Sequence, residues 1–203
     1  MDGVLVDSRA VVERTWRRWA ARHGVDPESV LKVAHGRRTQ ETLQEVVPHL
    51  ATTDELAWLE AAELADEDGL VQVPGAARLL ATLQAVPWAV VTSAGPVLAR
   101  HRLAAAGLPL PPVLVSSSDV TRGKPKPDGY LAAAARLAVA PTGAVVFEDA
   151  PAGIAAGLAA GSTVIAVATT RSTGQLEGAT FVVSDLAQIS IEPYGNRWRV
   201  LSA

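Results

Sequence analysis

The 203-residue sequence predicts an α/β fold: a doubly wound parallel sheet covered by helices on both faces, with an all-helical insert near its start. Three observations carry this. From residue 73 onward, short β-branched runs at 88–92, 113–116, 144–148, 163–168 and 181–183 alternate with helical stretches. From residue 9 to about 69 the pattern is helical and amphipathic, and little resembles a strand. The run at 144–148 ends in Glu148-Asp149 and is followed by Pro151, as where a buried strand gives way to a helix with proline in its first turn.

The elements follow in order. The chain opens M-D-G-V-L-V-D, a short glycine-led apolar piece with acids on both sides and no basic start, unlike a signal peptide. Trp16, Trp19 and Ala20 fall three and four apart, with Arg14, Arg17 and Arg18 on other faces, and Gly24 ends that helix. Thr52 and Glu55 have the spacing of a capping box and begin a helix through Leu56, Leu59 and Leu64. Val73-Pro74-Gly75 marks the change to alternating elements. Residues 150–170 carry no charge, and Gly153, Gly157 and Gly161 stand four apart, the small-residue spacing of membrane helix pairs. Alanine, glycine, serine and threonine dominate there, and Val164, Ile165 and Val167 come at the end. A helix, a stop at Gly161 and a strand explain this better, the glycines letting the helix lie close on the sheet. The core is thus expected to comprise 1–8 and 74–203, the insert 9–73, and the hinges 4–6 and 67–74. Residues 192–203, with Trp198 among arginines, carry no readable pattern.

Composition narrows the function. A net charge of −3 argues against nucleic acid or an anionic membrane as partner. The chain has no Cys, which excludes disulfides, a thiol nucleophile and cysteine-held zinc. A cytoplasmic protein is expected. The four His are scattered, without zinc spacing, and no glycine-rich nucleotide loop is present. Oligomeric state is unreadable.

Ligands in open α/β sheets sit at the carboxyl ends of the strands. There Glu148 and Asp149 repel each other, and Mg²⁺, a hard cation bound by oxygens, would relieve that; a solvated acidic turn is the plain alternative. Thr92 and Ser93 end a strand with hydroxyls suited to phosphate oxygens, though Ser93 equally suits a helix N-cap. Gly123-Lys124-Pro125-Lys126-Pro127-Asp128 holds a lysine in a loop stiffened by two prolines, able to hold a phosphate charge or simply to form a solvated turn. Within the insert, Arg37 and Arg38 suit contacts to hydroxyls and phosphate oxygens or form a solvated basic patch, and His35 is a substrate contact or a packing residue.

In this order, Asp-Gly-Val-Leu-Val-Asp-Ser, strand-Thr92-Ser93, Gly123-Lys124-Pro125-x-Pro127-Asp128 and Phe147-Glu148-Asp149-x-x-x-Gly153 resemble the haloacid-dehalogenase superfamily of phosphohydrolases, over nearly the whole chain. The insert sits where that superfamily carries a helical cap. His35-Gly36-Arg37-Arg38-Thr39 resembles the H-G-x-R-T segment of the glycerol-phosphate and deoxyglucose-phosphate phosphatases, which implies a small phosphorylated sugar or polyol as substrate. The resemblance implies phosphoryl transfer in two steps through an aspartyl-phosphate. Asp2 matches the aspartate that protonates the leaving alcohol and then activates water. Thr92 matches the phosphate-binding hydroxyl, and Lys124 the neutralising lysine. Asp149, with Glu148 directly or through water and the backbone carbonyl of Asp2, matches the Mg²⁺ ligands.

One departure is sharp. The nucleophile of this superfamily stands two residues before the residue matched by Asp2, where this chain has only Met1. The first core strand and one direct metal ligand are absent with it, and Asp7 lies too far downstream to serve. The chain as given is expected to be inactive. Met1 is read as the middle residue of an Asp-Met-Asp motif whose start lies upstream, in preference to a non-catalytic phosphosugar-binding relative, because Asp2, Thr92, Lys124 and the acid pair share no structural purpose otherwise. A phosphosugar mutase is disfavoured because residues 9–15 lack the expected histidine, a true dehalogenase because it needs no metal, and a receiver domain because it needs no large insert.

Overall fold

The computed structural model describes residues 1–195 and 197–202. Residues 1–5 form a tight turn in which the Met1 carbonyl accepts from the Leu5 N–H at 2.7 Å, and strand β1 (Val6–Asp7) follows. Helix α1 (Arg9–His23) buries Val11, Thr15, Trp16, Trp19 and Ala20 along one stripe, and Gly24 at φ 65° ends it. In α2 (Pro27–Ala34), Asp26 caps the first turn by accepting from the N–H groups of Glu28 and Ser29. Helix α3 (Thr39–Val46) follows Arg38 directly. Thr52 accepts from the N–H of Glu55 to start α4 (Thr53–Leu64), as its spacing predicts. These four helices enclose a core of their own around Trp16, Trp19, Val30, Leu31, Leu43 and Leu59. Trp16 and Trp19 meet edge to face at 5.6 Å, and the indole N–H of Trp19 donates to Glu55 at 2.8 Å.

The chain leaves the insert through β2 (Val71–Gln72). It pairs antiparallel with β1, Val6 opposite Gln72 and Asp7 opposite Val71, so entry and exit run side by side. Helix and strand then alternate: α5 (Ala76–Thr82), β3 (Ala89–Val91), α6 (Pro96–Ala105), β4 (Val113–Val115), α7 (Asp128–Arg136), β5 (Val145–Glu148), α8 (Pro151–Ala159), β6 (Thr163–Val167) and β7 (Phe181–Val183). β3 pairs parallel with β4, and β5 with β6 and β6 with β7. Among the described residues these two ladders share no backbone pairing. They meet instead in one apolar cluster, to which Val90, Leu103, Ile165, Val167 and Val183 belong together with Met1, Val4, Leu5 and Val6. The end of the chain, unreadable in the sequence, supplies an antiparallel pair of strands, β8 (Ile189–Tyr194) and β9 (Arg197–Ser202).

Residues 150–170 fold as the composition predicts, helix then strand, turning at Gly161 with φ 86°. A Cβ at Gly157 would stand 2.8 Å from the Val164 side chain, so glycine lets α8 lie against β6. No helix among the described residues is long and apolar enough to cross a membrane. The strands deliver Thr92, Ser116, Asp149 and Thr170 to their carboxyl ends, and the helical insert stands over that rim.

Candidate active site

A single cavity of about 330 Å³ lies between the strand ends and the insert, and every residue singled out in the sequence lines it: Asp2, Thr92, Ser93, Lys124, Glu148 and Asp149 below, and His35, Arg37 and Arg38 above. Residues up to 147 positions apart in the chain are brought together because parallel crossovers put successive strand ends on one side.

Asp2 is tightly held. One carboxylate oxygen accepts from the Ser8 hydroxyl and from Arg102 Nη1, both at 2.8 Å. The other accepts from the Thr92 hydroxyl at 3.4 Å. Burial alone would raise its pKa, but the Arg102 charge, the Met1 ammonium and the Ser8 hydrogen bond together outweigh that and leave it below the ordinary carboxylate range. Arg102 is 4% exposed and turns its other terminal nitrogen to Glu63 of α4 at 3.1 Å. Thr92 sits just past β3, where its hydroxyl also accepts from the N–H of Ala94 at 3.1 Å.

Lys124 pairs with Glu148, and the Tyr130 hydroxyl donates to the same carboxylate oxygen. Burial pushes the Tyr130 phenol up, and the adjacent Glu148 charge adds to it, so it stays protonated and donating. Burial also works against the Glu148 charge, but Lys124, the Met1 ammonium and the Tyr130 hydrogen bond together prevail, and its pKa is lowered. Asp149 differs: burial and then the Glu148 charge push it up to about 6, although Thr170 donates to its Oδ2 at 2.6 Å. A Cβ at Gly153 would come within 2.0 Å of the Glu148 carboxyl, which explains glycine in the first turn of α8.

The donors suit a hard cation. They are oxygens, and Asp149 is a buried acid beside another acid, with no ion-pair partner among the described residues. Among the described residues no three His, Cys, Asp or Glu side chains cluster as metal ligands. The adjacent acids here are Glu148, already engaged by Lys124, and Asp149.

Above, the structure gives the cap residues partners that the sequence did not reveal. Arg37 pairs with Glu45 at 2.5 Å. Arg38 donates to the carbonyls of Thr121 and Ser117 at 2.9 and 3.1 Å, and Glu41 of α3 accepts from the N–H of Gly123 at 3.0 Å, so the insert grips the loop that carries Lys124. Ser93 does not cap a helix. Gly95 holds the N-cap position of α6, and the Ser93 hydroxyl donates to the Gly36 carbonyl at 3.0 Å, tying core to insert. Burial, then Arg171, lowers the pKa of His35.

Arg102, Glu63, Tyr130 and Thr170 are site residues that sequence reasoning missed. Each lies in an ordinary helical or loop context, and only the fold shows that Arg102, Glu63 and Thr170 line the cavity and that Tyr130 reaches Glu148. Ser8 alone had a signal, as the last residue of the first motif.

A model of the haloacid dehalogenase-like hydrolases matches residues 1–161. Hexitol phosphatase A of Escherichia coli (strain K12) is 43% identical over 201 residues, covering 97% of this chain and 93% of that protein. 2-deoxyglucose-6-phosphate phosphatase 2 of Saccharomyces cerevisiae is 35% identical over 215 residues, covering 94% and 87%. Among solved structures, a hydrolase from Pseudomonas syringae superposes with a TM-score of 0.80 at 25% identity, covering 91% of each chain. CbbY from Rhodobacter sphaeroides in complex with phosphate reaches 0.82 at 23% identity, covering 93% and 92%, a likeness of fold.

Proposed function

Because this chain belongs to the haloacid dehalogenase-like hydrolases, we propose that it is a phosphatase whose finer activity is the Mg²⁺-dependent hydrolysis of a small sugar or polyol phosphate through an aspartyl-phosphate. The observation that carries this reading is the meeting of Asp2, Thr92, Lys124 and Asp149 in one cavity beneath the insert. The names of the relatives, a hexitol phosphatase and a 2-deoxyglucose-6-phosphate phosphatase, support the substrate class.

Most of the work in phosphoryl transfer is holding the group and stabilising its charge. Lys124 brings an ammonium to the cavity floor, kept in place by Glu148 and Tyr130. Thr92 offers a hydroxyl and the adjoining backbone at the end of β3. Asp2, held by Ser8, Arg102 and Thr92, is the carboxyl that would pass a proton to the leaving alcohol and take one from water. Asp149 and the backbone carbonyl of Asp2 would hold Mg²⁺, with Glu148 behind them. When bound, the ion supplies charge that lets a phosphate dianion approach these acids. Closing the insert over the core would exclude bulk water from the space above.

No acid stands two positions before Asp2 within residues 1–203, so the covalent step is tested on two proteins. Phosphate release is measured from a panel of small sugar and polyol phosphates, with Mg²⁺ and with EDTA. The assays use this chain and a chain extended at its amino end with aspartate two positions before Asp2. Metal-dependent turnover by the extended chain is expected. If it stays inert on every ester yet still binds them, the reading as a phosphosugar-binding relative replaces this one.

A further inference from the structure

The cap wall of the cavity has an uneven charge. From α4 it receives Leu56, Glu60 and Glu63, about one turn apart, and from α1 Val12 and Trp16. Glu63 is engaged by Arg102 at 3.1 Å. Glu60 has no hydrogen-bond or ion-pair partner among the described residues, yet its position is defined: a Cβ at Gly95 would stand 2.7 Å from its Oε1, so the carboxylate lies directly on the backbone of Gly95 at the cavity edge.

The cations in the same lining are placed differently. Arg37 is held by Glu45, and Arg38 by Glu41 and two core carbonyls. Lys124 and Arg102 sit on the floor with their own acids. Arg9 is exposed, close enough to His35 to lower its pKa. The inner cap wall therefore combines an apolar strip, Val12, Trp16 and Leu56, with one carboxylate whose oxygens are free.

That combination suits a polyhydroxylated carbon chain. C–H faces pack on the apolar strip, while hydroxyl protons go to the carboxylate in charge-assisted hydrogen bonds. It suits a second phosphate poorly, because two anions would share a partly buried space without a free inner cation. We propose that Glu60 is the specificity-determining residue of this site: it accepts hydrogen bonds from the hydroxyls of a monophosphorylated polyol and turns away esters that carry a second phosphate. This rests on the phosphatase reading, since the phosphate end of the ligand must occupy the floor at Thr92 and Lys124.

The test compares binding, which does not depend on turnover. Calorimetry with Mg²⁺ present gives Kd for inorganic phosphate, glucitol 6-phosphate, n-hexyl phosphate and glucitol 1,6-bisphosphate, on the full chain and on Glu60→Ala and Glu60→Gln. The preference for glucitol 6-phosphate over n-hexyl phosphate is expected to fall about tenfold in Glu60→Ala, the effect of losing hydrogen bonds to a charged group. Glu60→Gln, which keeps acceptors without charge, is expected to retain part of that preference while binding the bisphosphate more tightly than the parent does. An unchanged glucitol-to-hexyl ratio in Glu60→Ala overturns the assignment, and does so equally if only the melting temperature moves, which marks Glu60 as a stabiliser of the α6 N-terminus. If the parent chain binds neither inorganic phosphate nor any ester, the phosphatase reading itself falls, and this assignment with it.

Discussion

The guanidinium of Arg102 lies 2.8 Å from the carboxylate of Asp2. Its far side meets Glu63 at 3.1 Å, so one buried cation on α6 joins an acid of the core to an acid of the cap. Burial raises the pKa of Glu63, and Arg102 offsets that only in part. Replacing Arg102 with Met leaves two acids facing each other with no cation. The expected loss is about 3 kcal/mol in urea unfolding, the low end for a broken buried pair, because Asp2 is 30% exposed. Arg102→Lys should recover part of it, since an ammonium serves one acid at a time. A loss below about 0.5 kcal/mol for Arg102→Met would mean that the trio contributes nothing to the fold.

Glycine at 153 is the condition for the placement of Glu148. An alanine methyl there would stand 2.0 to 2.3 Å from the Glu148 carboxyl, so Gly153→Ala must move that side chain and loosen Lys124 with it. We expect a destabilisation of about 1–3 kcal/mol together with weaker phosphate binding. Gly143→Ala, which meets nothing within 4 Å, is the control, expected within about 0.5 kcal/mol of the parent. Equal behaviour of the two variants would show that Glu148 has room to spare.

Asp119 should give the fold a measurable acid limit. Its carboxyl accepts from the Ser116 hydroxyl and pairs with Arg136, which together hold it at about 2. A carboxyl depressed in the folded state stabilises above the unfolded pKa near 4, and that contribution is lost as pH falls toward 2. Asp119→Asn is therefore expected to be less stable by about 1 kcal/mol at pH 7, discounted for the half-exposed Arg136, with the gap closing by pH 2. A gap that stays constant from pH 7 to pH 2 contradicts this.

Asp149 sets the opposite sign. Burial and Glu148 push it up to about 6. Ionisation of a carboxyl raised in the folded state weakens stability as pH climbs from about 4 to 6, and the penalty is complete above 6. A bound divalent cation removes it. Millimolar Mg²⁺ should therefore raise the melting temperature more at pH 7.5 than at pH 5, EDTA should reverse the rise, and Asp149→Asn should abolish it. Persistence of the Mg²⁺ shift in Asp149→Asn places the ion elsewhere.

Loosening the grip of the insert on the Lys124 loop should expose the hinge. Glu41→Ala removes the acceptor for the Gly123 N–H and the partner of Arg38. Limited proteolysis in the surrounding linkers should quicken by about tenfold, with little change in thermal stability of the core, since local opening and global unfolding are separate events. Unchanged cleavage would show that the remaining ties, Ser93 to Gly36, Arg38 to the Ser117 and Thr121 carbonyls and Arg102 to Glu63, hold the insert without Glu41.

Much of this was legible in residue order. The apolar runs became β3 to β7, Gly24 and Thr52 bounded helices as their chemistry requires, and the four motifs named the residues of the floor. Such features are local: a cap, a turn or a buried strand depends on neighbours a few positions away, and those neighbours are written in the sequence. Partners were decided elsewhere. That Arg102 meets Asp2, that Tyr130 shares Glu148 with Lys124, that Ser93 reaches Gly36 and that Arg38 spends itself on core carbonyls are contacts across 18 to 100 positions. Only the folded chain sets the distances that make one charge neutralise another, and the same residue types in the same order would serve a different chemistry if those distances changed.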